Sequence, residues 1–300
     1  MKIVISGSHG LIGMALVEAL KQDGHEIRRL VRTQATGAGE IFWDPEGGEI
    51  DGDRLEGTDA VVHLAGENLA AHRWTGAIKA RIRDSRVKGT RLLSETLAAR
   101  KQAPKVMICA SAIGIYGDRG VAVLDEGSSS GSGYLKEVCE QWEAACDPVQ
   151  EAHIRLVTLR IGIVLSEQGG ALKKMLPPFK MGVAGPIGNG KQYMSWIALD
   201  DVIGIIRYAL ENESIKGPLN LVAPEPVTNH DFSKMLGHVL HRPAILPMPA
   251  FAARLAFGEM ADELLLSSSR VRPSRLLAAG YQFKYPTLNE ALVHILQESH

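Results

Sequence analysis

The stretch Gly7-Ser8-His9-Gly10-Leu11-Ile12-Gly13 places three glycines between an apolar run and an amphipathic one. In that context each glycine has a task. The first permits a tight turn, the second lets backbone approach a pyrophosphate, and the third lets a helix pack close to a strand. A helix opening at Leu11 offers unpaired N–H groups and the positive end of its dipole to the phosphates. The chemistry these residues could do is nucleotide binding, and the whole segment Gly7 to Gly13 is assigned to it.

Which dinucleotide depends on the end of the next strand. NAD-selective sites place an acid about 20 residues beyond the glycines, to bind the ribose hydroxyls. Here the strand ends Leu30-Val31-Arg32-Thr33, without an acid. An arginine there can pair with the 2′-phosphate of NADP, whose shape suits the planar guanidinium. Trp43-Asp44 either flanks the adenine or packs in the core. Leu64, Ala65, Gly66 and Glu67 end another apolar run, where a cofactor would cross the carboxyl edge of the sheet. His63, just before them, has no metal-like partner nearby in sequence and reads as a histidine that packs in the core or supports the site from behind. Arg73, Trp74, Arg81, Arg83 and Arg86 follow. They form either a solvated helix face or a group in which Arg73 or Arg86 steers an anionic ligand.

Strands are expected at Lys2–Ile5, Glu26–Val31, Ile41–Trp43, Ala60–Leu64, Lys105–Ala110 and Ile154–Ile161. Helices are expected at 11–22, 76–100 and 134–146. This alternation of short apolar runs with helical patterns predicts an α/β fold, a Rossmann-type doubly wound parallel sheet. After residue 165 the texture changes. Gly182, Gly185, Gly188 and Gly190 crowd a long ordered loop, and helical patterns at 229–240, 249–257 and 288–297 alternate with prolines. The expected division is a core of residues 1–222, with a cleft loop at 181–197, and a smaller, mostly helical lobe of 223–300. Asp200-Asp201 reads as a helix N-cap or as a support for that loop. Trp196 either lines a cleft or packs in the core.

The chain has 300 residues, 45% hydrophobic and 22% charged, with a formal net charge of -1. That balance argues against a nucleic-acid binder, which needs a basic surplus. No apolar run approaches the roughly 18 residues of a membrane span, and the first residues read as a strand rather than a signal peptide. The expected address is the cytoplasm. Cys109, Cys139 and Cys146 form no CxxC pair and read as buried small hydrophobes. His238 and His241 lack a third ligand, so no metal site is expected.

With these residues in hand, the chain resembles the extended short-chain dehydrogenase/reductase superfamily, in its atypical epimerase-family branch related by name to nucleoside-diphosphate-sugar epimerases. The matching stretches include Gly7 to Gly13, Leu64-Ala65-Gly66-Glu67-Asn68, Ser111 to Gly117 (SAIGIYG), Trp142-Glu143, Leu159-Arg160-Ile161-Gly162 and Ser195-Trp196-Ile197. The resemblance implies NADP binding, a small-molecule substrate, a C-terminal lobe over the substrate cleft, and homodimers that pair helices across a two-fold axis. No residue here demands the dimer.

The resemblance also implies a catalytic serine followed by tyrosine and lysine as YxxxK, the i+4 spacing putting both side chains on one helix face. A tyrosine, with its ordinary pKa near 10, needs such a cation to work near neutrality. The chain supplies Ser111 and Tyr134, but Val138 stands at i+4 and Lys136 points elsewhere. Three readings stay open. Tyr134 or Tyr116 works with another partner such as Arg160, which is also assigned to the cofactor. Alternatively, Glu137 or Glu143 moves the proton. In the third reading the protein binds NADP(H) without chemistry, as a sensor or interaction protein.

Overall fold

The run Lys2–Ser6 forms strand β1, whose Ile3, Val4 and Ile5 are buried on both faces. Strands of this kind belong in the centre of a parallel sheet. The computed structural model describes residues 1–298. Along the chain follow α1 (Leu11–Gln22), β2 (Glu26–Val31), β3 (Glu40–Asp44), β4 (Glu49–Ile50), β5 (Ala60–His63), α2 (Gly76–Ala98) and β6 (Val106–Ala112). Next come β7 (Val123–Leu124), α3 (Tyr134–Ala144), α4 (Asp147–Glu151), β8 (Arg155–Ile161), β9 (Ile163–Leu165), α5 (Gly170–Lys180), β10 (Tyr193–Met194) and β11 (Trp196–Ala198). The chain closes with α6 (Leu199–Glu211), β12 (Gly217–Leu221), β13 (Val227–Thr228), α7 (Asn229–Val239), α8 (Ala250–Phe257), β14 (Arg270–Val271), α9 (Ser274–Ala278) and α10 (Leu288–Val293).

Eight strands form one sheet in the order β12-β8-β6-β5-β1-β2-β3-β4. The pairs β1–β2, β2–β3, β1–β5 and β5–β6 are parallel, and β3–β4 is antiparallel. The chain runs outward from β1 to β3, then restarts on the other side of β1 with β5. Strand order therefore reverses between β1 and β5, and the crevice at their carboxyl ends is where open α/β sheets take ligands. The doubly wound sheet expected from the pattern is the fold observed. Helix α1 seals one face through Gly13, Leu16 and Leu20, at the i, i+3, i+7 spacing of a buried stripe.

The chain divides into two compact units that are discontinuous in sequence, unlike the consecutive pieces 1–222 and 223–300 expected from texture. Unit 1 holds residues 1–111, 138–159 and 203–218, and unit 2 holds 112–137, 160–202 and 219 onward. The second unit has its own apolar core, in which Trp196, Phe232 and Leu236 are fully enclosed with Leu172, Phe179 and Leu292. Of the two placements open for Trp196, the core is the one observed. The tail carries the helices expected of it, with short two-residue strands between them.

Asp201 neither caps α6 nor supports the glycine loop. Its carboxylate, 1% exposed, accepts the N–H groups of Lys284 (2.7 Å) and Tyr285 (3.0 Å), anchoring the segment before α10. The helix expected at 134–146 stops at Ala144, so Cys146 instead precedes α4; all three cysteines are buried. Removing the Asp201 carboxylate takes the acceptor from two backbone N–H donors. Asp201→Ala should lower stability by about 3 kcal/mol in urea unfolding, whereas Asp200→Ala, at a more exposed ion pair, should change it by under about 1 kcal/mol.

Candidate functional site

The turn after β1 is shaped by backbone crowding. Gly7 has φ +66°, and a Cβ built on it would lie 2.7 Å from the Leu64 carbonyl carbon. A Cβ on Gly13 would lie 2.2 Å from the Gly7 oxygen. Neither position accepts a side chain, so the turn, the start of α1 and the end of β5 meet backbone to backbone. Gly10 precedes α1 without a side-chain cap, and the first turn of that helix carries no acid. Its N–H groups are therefore directed at whatever fills the crevice. The Ser8 hydroxyl, in a residue only 4% exposed, is buried and has no hydrogen-bond partner among the described residues. An unpartnered buried hydroxyl beside an uncapped helix N-terminus fits a phosphate-bearing ligand.

Arg32 follows β2 and is exposed, with no hydrogen bond or ion pair among the described residues. The neighbouring cation is engaged: Arg29 pairs with Glu40 at 3.1 Å. Hydrogen bonds from the Thr36 N–H and hydroxyl hold the Glu40 carboxyl below its usual range. His9 is exposed near Glu40, and Leu11 and Ile12 are half-buried in the first turn of α1.

Several other expected cofactor residues hold the scaffold. The Asp44 carboxylate accepts the Glu46 N–H at 3.0 Å and so organises its own turn. Trp43 is buried, edge-on to His63 at 5.7 Å and against Gly89, which makes it a core residue. Glu67 pairs with Arg81 at 2.7 Å. Arg86 is not a solvated charge. It stacks over Trp142 at 5.1 Å and donates to the Glu67 carbonyl at 3.0 Å, with Gly66 leaving room for it.

Ser111 lies near the end of β6, 2% exposed, and its hydroxyl donates to the Glu143 carboxylate at 2.8 Å. The structure thus brings together two residues 32 apart in sequence that the catalytic motifs considered separately. In unit 2, Tyr116 is fully buried, donates to Asn220 at 2.8 Å, and accepts from Arg160 at 3.0 Å. Burial pushes the Tyr116 hydroxyl up despite the Arg160 charge beside it. Arg160, assigned above to the cofactor, is 9% exposed and stacks on the Tyr116 ring at 5.4 Å. Tyr134 is half-buried at the start of α3, where sequence gave no sign of a cap. The Glu263 carboxylate accepts the N–H groups of Tyr134 (3.2 Å) and Leu135 (3.3 Å), an anion at the positive end of the helix.

His63 sits at the end of β5, fully buried, with Nδ1 2.6 Å from the Ser6 hydroxyl and Nε2 3.0 Å from that of Thr90. Burial lowers its pKa from 6.5 to about 4, so it is neutral near neutral pH. As pH falls below 6.5 the unfolded chain takes up this proton before the folded one does. Stability present above that pH is therefore lost on the way down to about 4. Urea unfolding should show about 2 kcal/mol of this loss between about pH 7 and pH 5, and none of it in His63→Asn.

Residues 3–221 match the NAD dependent epimerase/dehydratase family, and residues 248–295 match a domain of unknown function. An epimerase family protein of Mycobacterium leprae is 43% identical over 290 residues, spanning 97% of this chain and 94% of that protein. The human epimerase family protein SDR39U1 is 36% identical over 299 residues, 99% of this chain and 100% of that one. A crystal structure of human SDR39U1 (isoform 2) with NADPH superposes with a TM-score of 0.90, at 36% identity, over 98% of this chain and 99% of that chain. With a profile match over more than half its length and relatives that align end to end, the chain belongs to the NAD-dependent epimerase/dehydratase family.

Proposed function

We propose that the chain binds NADP(H) in the crevice at the ends of β1 and β5 and acts as an NADP-dependent oxidoreductase or epimerase-like enzyme. Its substrate class is small and polar, with nucleotide-linked compounds included. The observation that carries the cofactor choice is Arg32, an exposed guanidinium without a partner among the described residues, where an NAD-selective site would place an acid. NADPH in the human relative's crystal structure supports the same reading. The uncapped N-terminus of α1 and the Ser8 hydroxyl would hold the pyrophosphate.

When bound, the nicotinamide supplies hydride exchange with a carbinol or carbonyl carbon. Ser111 would hydrogen-bond the reacting oxygen. Because its own hydrogen is given to Glu143, its oxygen lone pairs are left to accept a proton from a substrate hydroxyl while the carboxylate takes up the serine proton. Tyr116 gives its hydrogen to Asn220 and is closed to solvent, so of the two tyrosines the proposal keeps Tyr134. One observation favours the second reading, a non-catalytic NADP(H)-binding sensor or interaction protein. Val138, at the position of the expected lysine, is 2% exposed and supplies no cation.

Calorimetric titration tests the cofactor assignment. Wild type should prefer NADPH to NADH, and Arg32→Ala should reduce that preference at least about tenfold, the size of one charge-assisted contact. Equal affinity for both nucleotides in wild type would overturn the Arg32 assignment. With a panel of small carbonyl compounds, loss of NADPH absorbance supports the enzyme. A change of oligomeric state on NADPH binding, without turnover, supports the sensor.

A further inference from the structure

Around His63 the hydrogen bonds specify which ring nitrogen carries the proton. The Ser6 oxygen receives the N–H groups of Leu64 (3.1 Å) and Ala65 (3.3 Å), which occupy both its lone pairs. Its own hydrogen must then go to His63 Nδ1, 2.6 Å away. A neutral imidazole that accepts at Nδ1 carries its proton on Nε2, which faces the Thr90 oxygen at 3.0 Å. Thr90 also accepts from Trp142 Nε1 at 2.9 Å. The donors all point one way, from the Leu64–Ala65 backbone through Ser6 and His63 to Thr90. Chains of this polarity strengthen each member.

The upstream end of this chain is the wall of the nucleotide crevice. The Leu64–Ala65 backbone is the segment that abuts Gly7 at van der Waals limits. The downstream end holds Trp142, the residue before Glu143, with Arg86 stacked on its ring.

We propose that His63 is a positioning residue for the nicotinamide cofactor. Fixed as the Nε2–H tautomer between Ser6 and Thr90, it orients the Ser6 hydroxyl so that the Leu64–Ala65 backbone stays closed against the glycine turn. This rests on the reading that the crevice binds NADP(H), and it adds a residue that touches neither the cofactor nor a substrate. The effect travels through Ser6. His63→Asn, whose Oδ1 stands near the place of Nδ1, keeps the acceptor for Ser6, whereas His63→Leu removes it.

The experiment is NADPH calorimetry on wild type, Ser6→Ala, His63→Leu and His63→Asn, with thermal unfolding of each and ¹⁵N spectra of the wild-type imidazole. Ser6→Ala and His63→Leu should weaken NADPH about tenfold, and His63→Asn should recover most of that loss. The spectra should show an unprotonated Nδ1 and a protonated Nε2. A merely structural histidine would lower the unfolding temperature of the variants while leaving their NADPH affinity unchanged. The small Ser6→Ala change keeps the test decisive if His63→Leu does not fold. Affinity of folded Ser6→Ala within about twofold of wild type would overturn the proposal, as would an Nδ1–H tautomer. Equal losses in His63→Asn and His63→Leu would overturn the route through Ser6. Failure of wild type itself to bind NADPH would overturn the cofactor reading and this inference with it.

Discussion

The nucleotide crevice depends on a steric constraint, the absence of room for side chains where three backbone segments converge. At Gly13 a methyl group would overlap the Gly7 carbonyl, and at Gly7 it would overlap the end of β5. Only with both positions bare can α1 start directly beneath the turn and aim its N–H groups into the crevice. The topology sets this place. Strand order reverses between β1 and β5, so the chain leaves their carboxyl ends in opposite directions along the sheet, the place where open α/β sheets take ligands.

Electrostatics then decides what the opening accepts. An uncapped helix N-terminus, an unpartnered buried hydroxyl at Ser8 and a guanidinium at Arg32 all favour an anion. The acids nearby are neutralised or otherwise used: Glu40 by Arg29 and Thr36, and Asp44 by its own turn. Beneath the crevice, polar groups that would be costly if left unpaired are all matched, from Ser6 through His63 to Trp142. The same helix that carries Trp142 brings Glu143 to Ser111, so the nucleotide wall and the serine share one support.

Much of the fold was legible in the sequence because its signals are local. The boundaries of α1 and β2 follow from periodicity and turn residues, and the glycine spacing of residues 7–13 marks the crevice. Partnerships across long separations were not legible. Nothing near Ser111 announces Glu143, nothing near Tyr134 announces Glu263, and nothing near Asp201 announces the backbone of Lys284 and Tyr285. Arg86 illustrates the same limit. In a basic stretch it reads as a surface charge or as a cation for an anionic ligand, and only the fold reveals Trp142 under it. The hydroxyl partners of His63 could have been suspected from a histidine ending an apolar strand, but the direction of their hydrogen bonds needs the geometry.

The most direct test of the claim that this backbone cradle receives the pyrophosphate is NADPH titration of Gly10→Val. Gly10 has φ -79° and ψ 169°, which a branched residue adopts readily, and its Cβ would meet only the Gly7 oxygen at 3.3 Å. The account predicts a folded protein with a near-normal unfolding temperature whose NADPH affinity is reduced more than about tenfold, because the new side chain stands over the N-terminus of α1. A folded Gly10→Val that binds NADPH as wild type does would contradict it.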